Sequence, residues 1–354
     1  MKDVKPSIIE NLEVRIKKLS LLVFLFSFLL ACNQSGSHDN NKPMEKKYET
    51  IGKVEILDQS LLSILDSNAT VEILAKGFKW SEGPLWINDG GYLLFTDIPP
   101  NKIMKWSEEK GLEEYLHPSG YTGSAPRDGE PGANGLILDS AKRLVMCQHG
   151  DRRMARMNAP LASPRPDFIT LADQYEGKKF NSPNDAVYHS SGDLYFTDPP
   201  YGLVGNVDDP KKELPYQGVF RVGKDGKVEL LYKDLSRPNG IALSRDEKKL
   251  YVANSDVNKI WMVFDVKESG EVENGKIFFD ASSYPEPGGP DGMKVHSSGI
   301  IFATGPGGIM VFSPEAKLLG RIGTGDVCSN LAFDTDEKFL YVTSNHNLVR
   351  VHLK

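Results

Sequence analysis

The chain has 354 residues, of which 40% are hydrophobic and 25% charged, with a formal net charge of -6. These are the proportions of a globular protein with room for a large core, and the acidic balance gives no electrostatic reason to expect a nucleic-acid partner. With 33 glycines and 22 prolines, many tight turns are expected, as an all-β protein needs.

At the N-terminus, Arg15, Lys17 and Lys18 precede an apolar run of 13 residues, Leu19 to Ala31. A membrane-spanning helix needs roughly 20, so residues 1–31 read as a signal peptide. The run ends in Leu29-Leu30-Ala31-Cys32, which resembles a bacterial lipobox. That resemblance implies lipidation at Cys32 and an exported protein, held by its lipid at a bacterial membrane and facing the periplasm or the cell surface. Residues 32–50 open with the polar stretch NQSGSHDNNKPMEKK and read as a flexible tether. Beyond it only Cys147 and Cys328 remain. With no CxxC spacing they make no zinc site, and two buried free thiols are expected.

From residue 51 onward one unit recurs. A lone acidic or amide residue in a Gly/Pro-marked turn opens a short apolar strand: Glu82 in SEGPLW, Asn134 in GANGLIL, Asn184 in NSPNDAVY, Asn239 in SRPNGIAL, Asp291 in GGPDGMKV and Asn330 in CSNLAF. A second strand follows, centred on Phe95, Met146, Phe196, Val252, Phe302 and Val342 in turn. The spacings of the polar residues are 52, 50, 55, 52 and 39. Several short strands repeating every 40–50 residues or so mark a β-propeller, here all-β and six-bladed over residues 51–354. Only 24 residues follow Asn330, so the last blade lacks a strand, and Val71 to Leu74 is its natural donor.

In a ring of blades the six polar residues converge on one level of the axis. Glu82, Asn184, Asn239 and Asp291 offer two carboxylates and two amide oxygens, a donor set suited to a hard divalent cation, Ca²⁺ first, with Mg²⁺ or Zn²⁺ as alternatives. Asn and Asp are also ordinary turn-formers. Glu is not, which makes Glu82 the strongest single case. The second strand of each blade returns to the same face, so Asp97, His149, Asp198 and Asn254 come back toward the site. His189 and His296 lie five residues past Asn184 and Asp291, roughly 16 Å away along a strand, and read as turn residues on the opposite face.

At SEGPLW, NGLILD, CQHGDRRMARM, NSPNDAVYHSSGDLYFTDPPYGL, RPNGIAL, PDGMKV and ATGPGGIMVFSP the sequence resembles the SMP-30/gluconolactonase/regucalcin-like family of six-bladed propellers, over about residues 70–354. The resemblance implies metal ligands at Glu82, Asn239 and Asp291, with Asn184 a further ligand or substrate contact, and an acid/base role for Asp291. An Arg that some members place two residues before the blade-three Asn is Ser182 here, which weakens the carry-over of their substrate preference. The expected activity is metal-dependent hydrolysis of a sugar lactone, a small molecule. Asn134, His149, Asp198 and Asn330 are expected around the substrate, with His149 either a proton shuttle or structural. Another metal-dependent hydrolase, phosphotriesterase-like, and a non-catalytic calcium-binding propeller are the alternatives. A monomer or weak oligomer is expected, with no membrane contact beyond the lipid.

Overall fold

A computed structural model describes residues 48–354. The expected signal peptide, the lipidation at Cys32 and the tether up to residue 47 lie outside the described residues. Six antiparallel sheets of four or five strands succeed one another along the chain, with a two-stranded ribbon, Gln174–Tyr175 and Lys178–Lys179, between the second and third. Blade 1 contains Ser81–Ile87, Tyr92–Asp97, Lys102–Ser107 and Gly111–Leu116; blade 2 contains Ala133–Leu138, Leu144–Gln148, Arg153–Met157 and Phe168–Ala172. Blade 3 is built from Ala186–Tyr188, Leu194–Asp198, Gly218–Val222 and Val228–Tyr232, and blade 4 from Pro238–Leu243, Lys249–Ser255, Lys259–Val266 and Val272–Asp280. Among the described residues the only helical pieces are short 3-10 turns, Gln59–Ser63, Asn88–Gly90 and Asn206–Asp208.

Blades 5 and 6 both recruit the N-terminal segment. Val71–Lys76 pairs with Asn347–His352 and supplies the missing strand of blade 6, as the spacing requires. Glu49–Ile51 then adds a fifth strand to that blade, so sheet structure begins inside the stretch read from sequence as tether. Lys53–Ile56 crosses to blade 5 and pairs with Leu318–Gly323. Gly52 makes the crossing at φ 66°. A Cβ there would sit 1.8 Å from the Gly323 carbonyl oxygen, so both the dihedral and the space demand glycine.

The alternation of apolar residues places one face of each strand against the next blade. The six core clusters accordingly lie one at each interface between neighbouring blades. All six predicted second-strand centres, Phe95, Met146, Phe196, Val252, Phe302 and Val342, are fully buried. Leu61 and Leu65 plug the blade 5–6 interface from the N-terminal segment, each contributing about 1.5–3 kcal/mol by burial. Cys147, on the second strand of blade 2, and Cys328, two residues before Asn330–Phe333, are free and buried as expected. Burial pushes the Cys147 thiol well up and Cys328 to about 11, which leaves both unreactive.

The turns between the inner and second strands carry a further pattern. Each holds one left-handed residue: Gly91, Gly192 and Gly299 in odd blades, Lys142, Glu247 and Glu337 in even ones. The long side chains tie each even blade to the odd blade before it. Lys142 binds Asp89 at 2.7 Å, Glu247 accepts from Ser190 N at 2.9 Å, and Glu337 accepts from Ser297 N at 3.0 Å. His189 and His296 belong to these turns, each bonded to the serine two residues on, on the face expected. Thr335 adds a link from blade 6 to Asn88 of blade 1 at 2.9 Å.

Candidate functional site

Each blade's polar residue reaches the axis because the inner strands touch there. In blades 1, 2, 4 and 5 it is followed by glycine: Gly83, Gly135, Gly240 and Gly292. A Cβ on Gly83 would lie 2.1 Å from the Asn134 carbonyl oxygen, and one on Gly240 would lie 2.0 Å from that of Asp291. Backbone therefore packs on backbone around the ring, and the register slips at Glu82–Leu85, Ala133–Leu136 and Pro238–Ile241 turn the preceding side chain inward. Buried threonines of the second strands lock this arrangement. Thr96 donates to Asn134 O at 3.2 Å, Thr197 to Asn239 O at 2.6 Å, Thr304 to Ser329 O at 3.0 Å and Thr343 to Asn330 O at 3.1 Å.

Glu82, Asn134, Asn184, Asn239 and Asp291 line one cavity of about 200 Å³, and Trp80, Glu130, Tyr201 and Ser255 complete its wall. It is smaller than the roughly 300–1,000 Å³ of sites for drug-sized ligands, so it suits a compact molecule. Asn239 donates its amide Nδ2 to Ser255 Oγ at 2.8 Å, which leaves Oδ1 buried and without a donor. Asn134 Oδ1 and Asp291 Oδ1 are buried and equally without a donor. Glu82 Oε2 accepts from Gly83 N at 2.6 Å and from Asn330 Nδ2 at 3.2 Å.

The carboxylates repel. Burial, with the charge of Asp185 added, lifts Glu82 to about 7. Asp291 is held well above the usual carboxylate range, first by burial and then by the charges of Glu82, Asp185 and Glu130. Buried oxygens without donors beside unneutralised carboxylates are what a divalent cation would satisfy. The four residues expected as ligands are all in the wall of this cavity.

The expected substrate contacts divide. Asn134 lines the cavity. Asn330 does not: it lies beneath Glu82, bridging to Asp185 Oδ2 at 3.4 Å and accepting from Lys294 Nζ at 3.3 Å. His149 is fully buried behind the wall, with Nδ1 3.2 Å from Glu130 Oε2. Asp198 returns to the correct face but is fully buried, its oxygens accepting from the backbone N of Asn181 and Ser182, both at 2.8 Å. Asp97 does the same for Lys79 and Trp80, and Asn254 for Arg237. These residues clamp the loop that presents the axial side chain and do not face the cavity. Ser182 is also buried, donating to Pro199 O at 2.6 Å and accepting from Gly202 N at 2.9 Å.

Trp80, Glu130, Tyr201, Ser255 and the axial Asp185 were not singled out from sequence. Asp185 had a readable signal, since it stands where four of the blades have glycine. The loop residues had none, because no periodicity fixes where a loop lands.

An all-β ring of six blades with an acidic and amide-lined cavity on its axis defines the class, a propeller with its site at the axis. Within that class the sequence matches the family described as SMP-30/Gluconolactonase/LRE-like region across residues 80–346, and the chain belongs to that family. It is 39% identical over 318 residues to a gluconolactonase of Zymomonas mobilis, covering 86% of this chain and 87% of that one. It is 26% identical to the pentonolactonase XacC of Haloferax volcanii over 74% of this chain and 80% of that one. The solved structure of a gluconolactonase from Xanthomonas campestris superposes with a TM-score of 0.74 at 28% identity, covering 88% of this chain and 99% of that one.

Proposed function

We propose that the protein is a hydrolase that opens the ester bond of a sugar lactone, with a divalent cation, calcium first, held by Glu82, Asn184, Asn239 and Asp291. One observation carries the reading: donor-free buried oxygens of Asn239, Asp291 and Asn134 meet Glu82 in a single cavity. Similarity to gluconolactonases and a pentonolactonase supports the substrate class.

When bound, the cation would supply the charge that polarises the lactone carbonyl and steadies the oxyanion formed on attack. The side chains supply the rest. Asp291 takes the proton of the attacking water. Asn134 accepts a hydrogen bond from a sugar hydroxyl through its free Oδ1. Trp80 and Tyr201, in the same wall, offer apolar contact to the sugar. Asn330, held by Lys294, keeps Glu82 in place from below. The same reading has the protein exported, lipid-anchored at Cys32, and working as a monomer or weak oligomer.

The test is a panel of aldonolactones, simple esters and phosphotriesters, assayed with calcium, with chelator, and after calcium is restored. Hydrolysis of at least one aldonolactone, lost with chelator and regained with calcium, is expected. Turnover of phosphotriesters alone, or lactone turnover indifferent to chelator, would overturn the reading.

A further inference from the structure

Opening a lactone ring requires more than attack on the carbonyl. The carbonyl carbon gains the oxygen of water and loses the ring oxygen, and that ring oxygen leaves as an alkoxide. An alkoxide is a poor leaving group unless it receives a proton as the bond breaks. Asp291, having taken the proton of the attacking water, would have to serve both steps to supply it. A separate acid beside the leaving oxygen would divide that work, and two of the carboxylates lining the cavity, Glu82 and Asp291, are the ones assigned to the cation.

The wall contains one more carboxylate, and it comes from outside the repeat. Glu130 ends the long loop between blades 1 and 2 and lines the cavity together with Asp291. The loop is strapped down. Arg127 donates to the carbonyls of Gly150 and Gly202. Thr122 donates through its N and Oγ1 to Asp151, at 3.1 and 2.7 Å. Behind Glu130 stands His149, fully buried, with Nδ1 3.2 Å from Glu130 Oε2 and neither ring nitrogen in a formed hydrogen bond. Gly202 closes over the imidazole so tightly that a Cβ there would lie 2.6 Å from His149 Cβ. A buried imidazole with no hydrogen bond is costly to keep, and the Glu130 carboxylate in the wall lies within reach of it.

We propose that Glu130 is the catalytic acid that protonates the leaving ring oxygen, and that His149 is the positioning residue that holds and recharges it. This rests on the lactonase reading above. The step requires one proton held between Glu130 and His149. As the bond from the carbonyl carbon to the ring oxygen breaks, the electron pair goes to that oxygen and the proton passes to it from Glu130. The products are the free hydroxyl and the carboxylic acid; the proton taken by Asp291 returns to solvent, and one proton from solvent restores the Glu130–His149 pair. One water is consumed and no other reactant is needed.

The test varies the leaving group. An aldonolactone expels an alkoxide, whereas the aryl lactone dihydrocoumarin expels a phenoxide, which is stable without a proton. Glu130→Gln should lower kcat for the aldonolactone about 10²-fold or more, the usual contribution of a general acid, and lower it for dihydrocoumarin only a few-fold. His149→Gln should show the same selectivity, and the double variant should lose no more than the worse single one. Retained aryl-lactone turnover shows that each variant is folded and loaded. Equal losses on both substrates, or no loss on the aldonolactone, overturn the assignment. If the wild type opens no lactone at all, it is the underlying lactonase reading that fails.

Discussion

Asp291→Asn separates chemistry from folding, because the two should move in opposite directions. The variant keeps the size of the side chain and one oxygen toward the cavity but removes the base. Loss of a general base costs about 10²–10⁴ in rate, or about 3–5 kcal/mol at 1.36 kcal/mol per decade. The cation-free fold, by contrast, is relieved of a buried carboxyl whose charged form is disfavoured first by burial and then by the charge of Glu82. Glu82 sits at about 7 against an ordinary 4.5, and each unit of that difference is worth about 1.4 kcal/mol. At neutral pH Glu82 therefore costs the cation-free fold about 3 kcal/mol, through burial and the Asp185 charge, which the variant keeps; Asp291, also held well above its ordinary range, adds a cost of its own that Asn removes. Relief of even about 1 kcal/mol raises the Tm by a few degrees. The pH dependence has a fixed sign. The fold holds protons that the unfolded chain releases, so cation-free wild-type stability falls as pH rises from about 4.5 to 7, and the slope should be shallower in the variant. Turnover of an aldonolactone with calcium, calcium titration by calorimetry, and thermal melts in chelator at pH 5 and 7 measure all three quantities. Wild-type turnover with calcium bound, or a lower cation-free Tm at pH 7, would refute the reasoning.

Gly52→Ala should destabilise by at least the roughly 1–2 kcal/mol of a left-handed non-glycine residue, and by more through the clash with Gly323 O; protease cleavage near residues 49–57 reports release of the strap, and an unchanged Tm would show that the crossing is not tight. Thr197→Val removes the hydroxyl that donates to Asn239 O at 2.6 Å. It should cost about 1–3 kcal/mol and weaken calcium binding measured by calorimetry, whereas wild-type affinity would mean that the threonines do not hold the ring. Cys32→Ser should shift the protein from the membrane to the soluble fraction or leave its precursor unprocessed, and membrane association equal to wild type would exclude lipidation.

The ring and its axial residues were legible because both follow from a repeat. Glu82, Asn184, Asn239 and Asp291 recur at one register, so a single inference about the axis brings all four into one wall. The clamp residues show where that logic stops. Asp198 does return to the site's face, but the backbone N–H groups of Asn181 and Ser182 take both its oxygens. Direction can be read from strand order, whereas local hydrogen bonding cannot. Asn330 kept its register and still lies one layer below the cavity, under Glu82. Glu130 owes its place to Arg127 gripping Gly150 and Gly202, contacts between segments that no pattern in the chain connects. The second use of the N-terminal segment, on blade 5 as well as blade 6, was hidden because Lys53–Ile56 is too short to announce itself.

The turns on the face opposite the site group the blades unequally. Glu247 links 3 with 4, while Lys142, Glu337 and Thr335 link 5, 6, 1 and 2 into a run. The two bodies so defined carry different halves of the axial set: the larger holds the carboxylates Glu82 and Asp291, and the smaller holds the amides Asn184 and Asn239. An ion that draws on all four is a keystone spanning both seams. Whatever free energy such an ion gained from the four oxygens it would also lend to the closure of the ring, so occupancy of the axis would be coupled to the integrity of the circle.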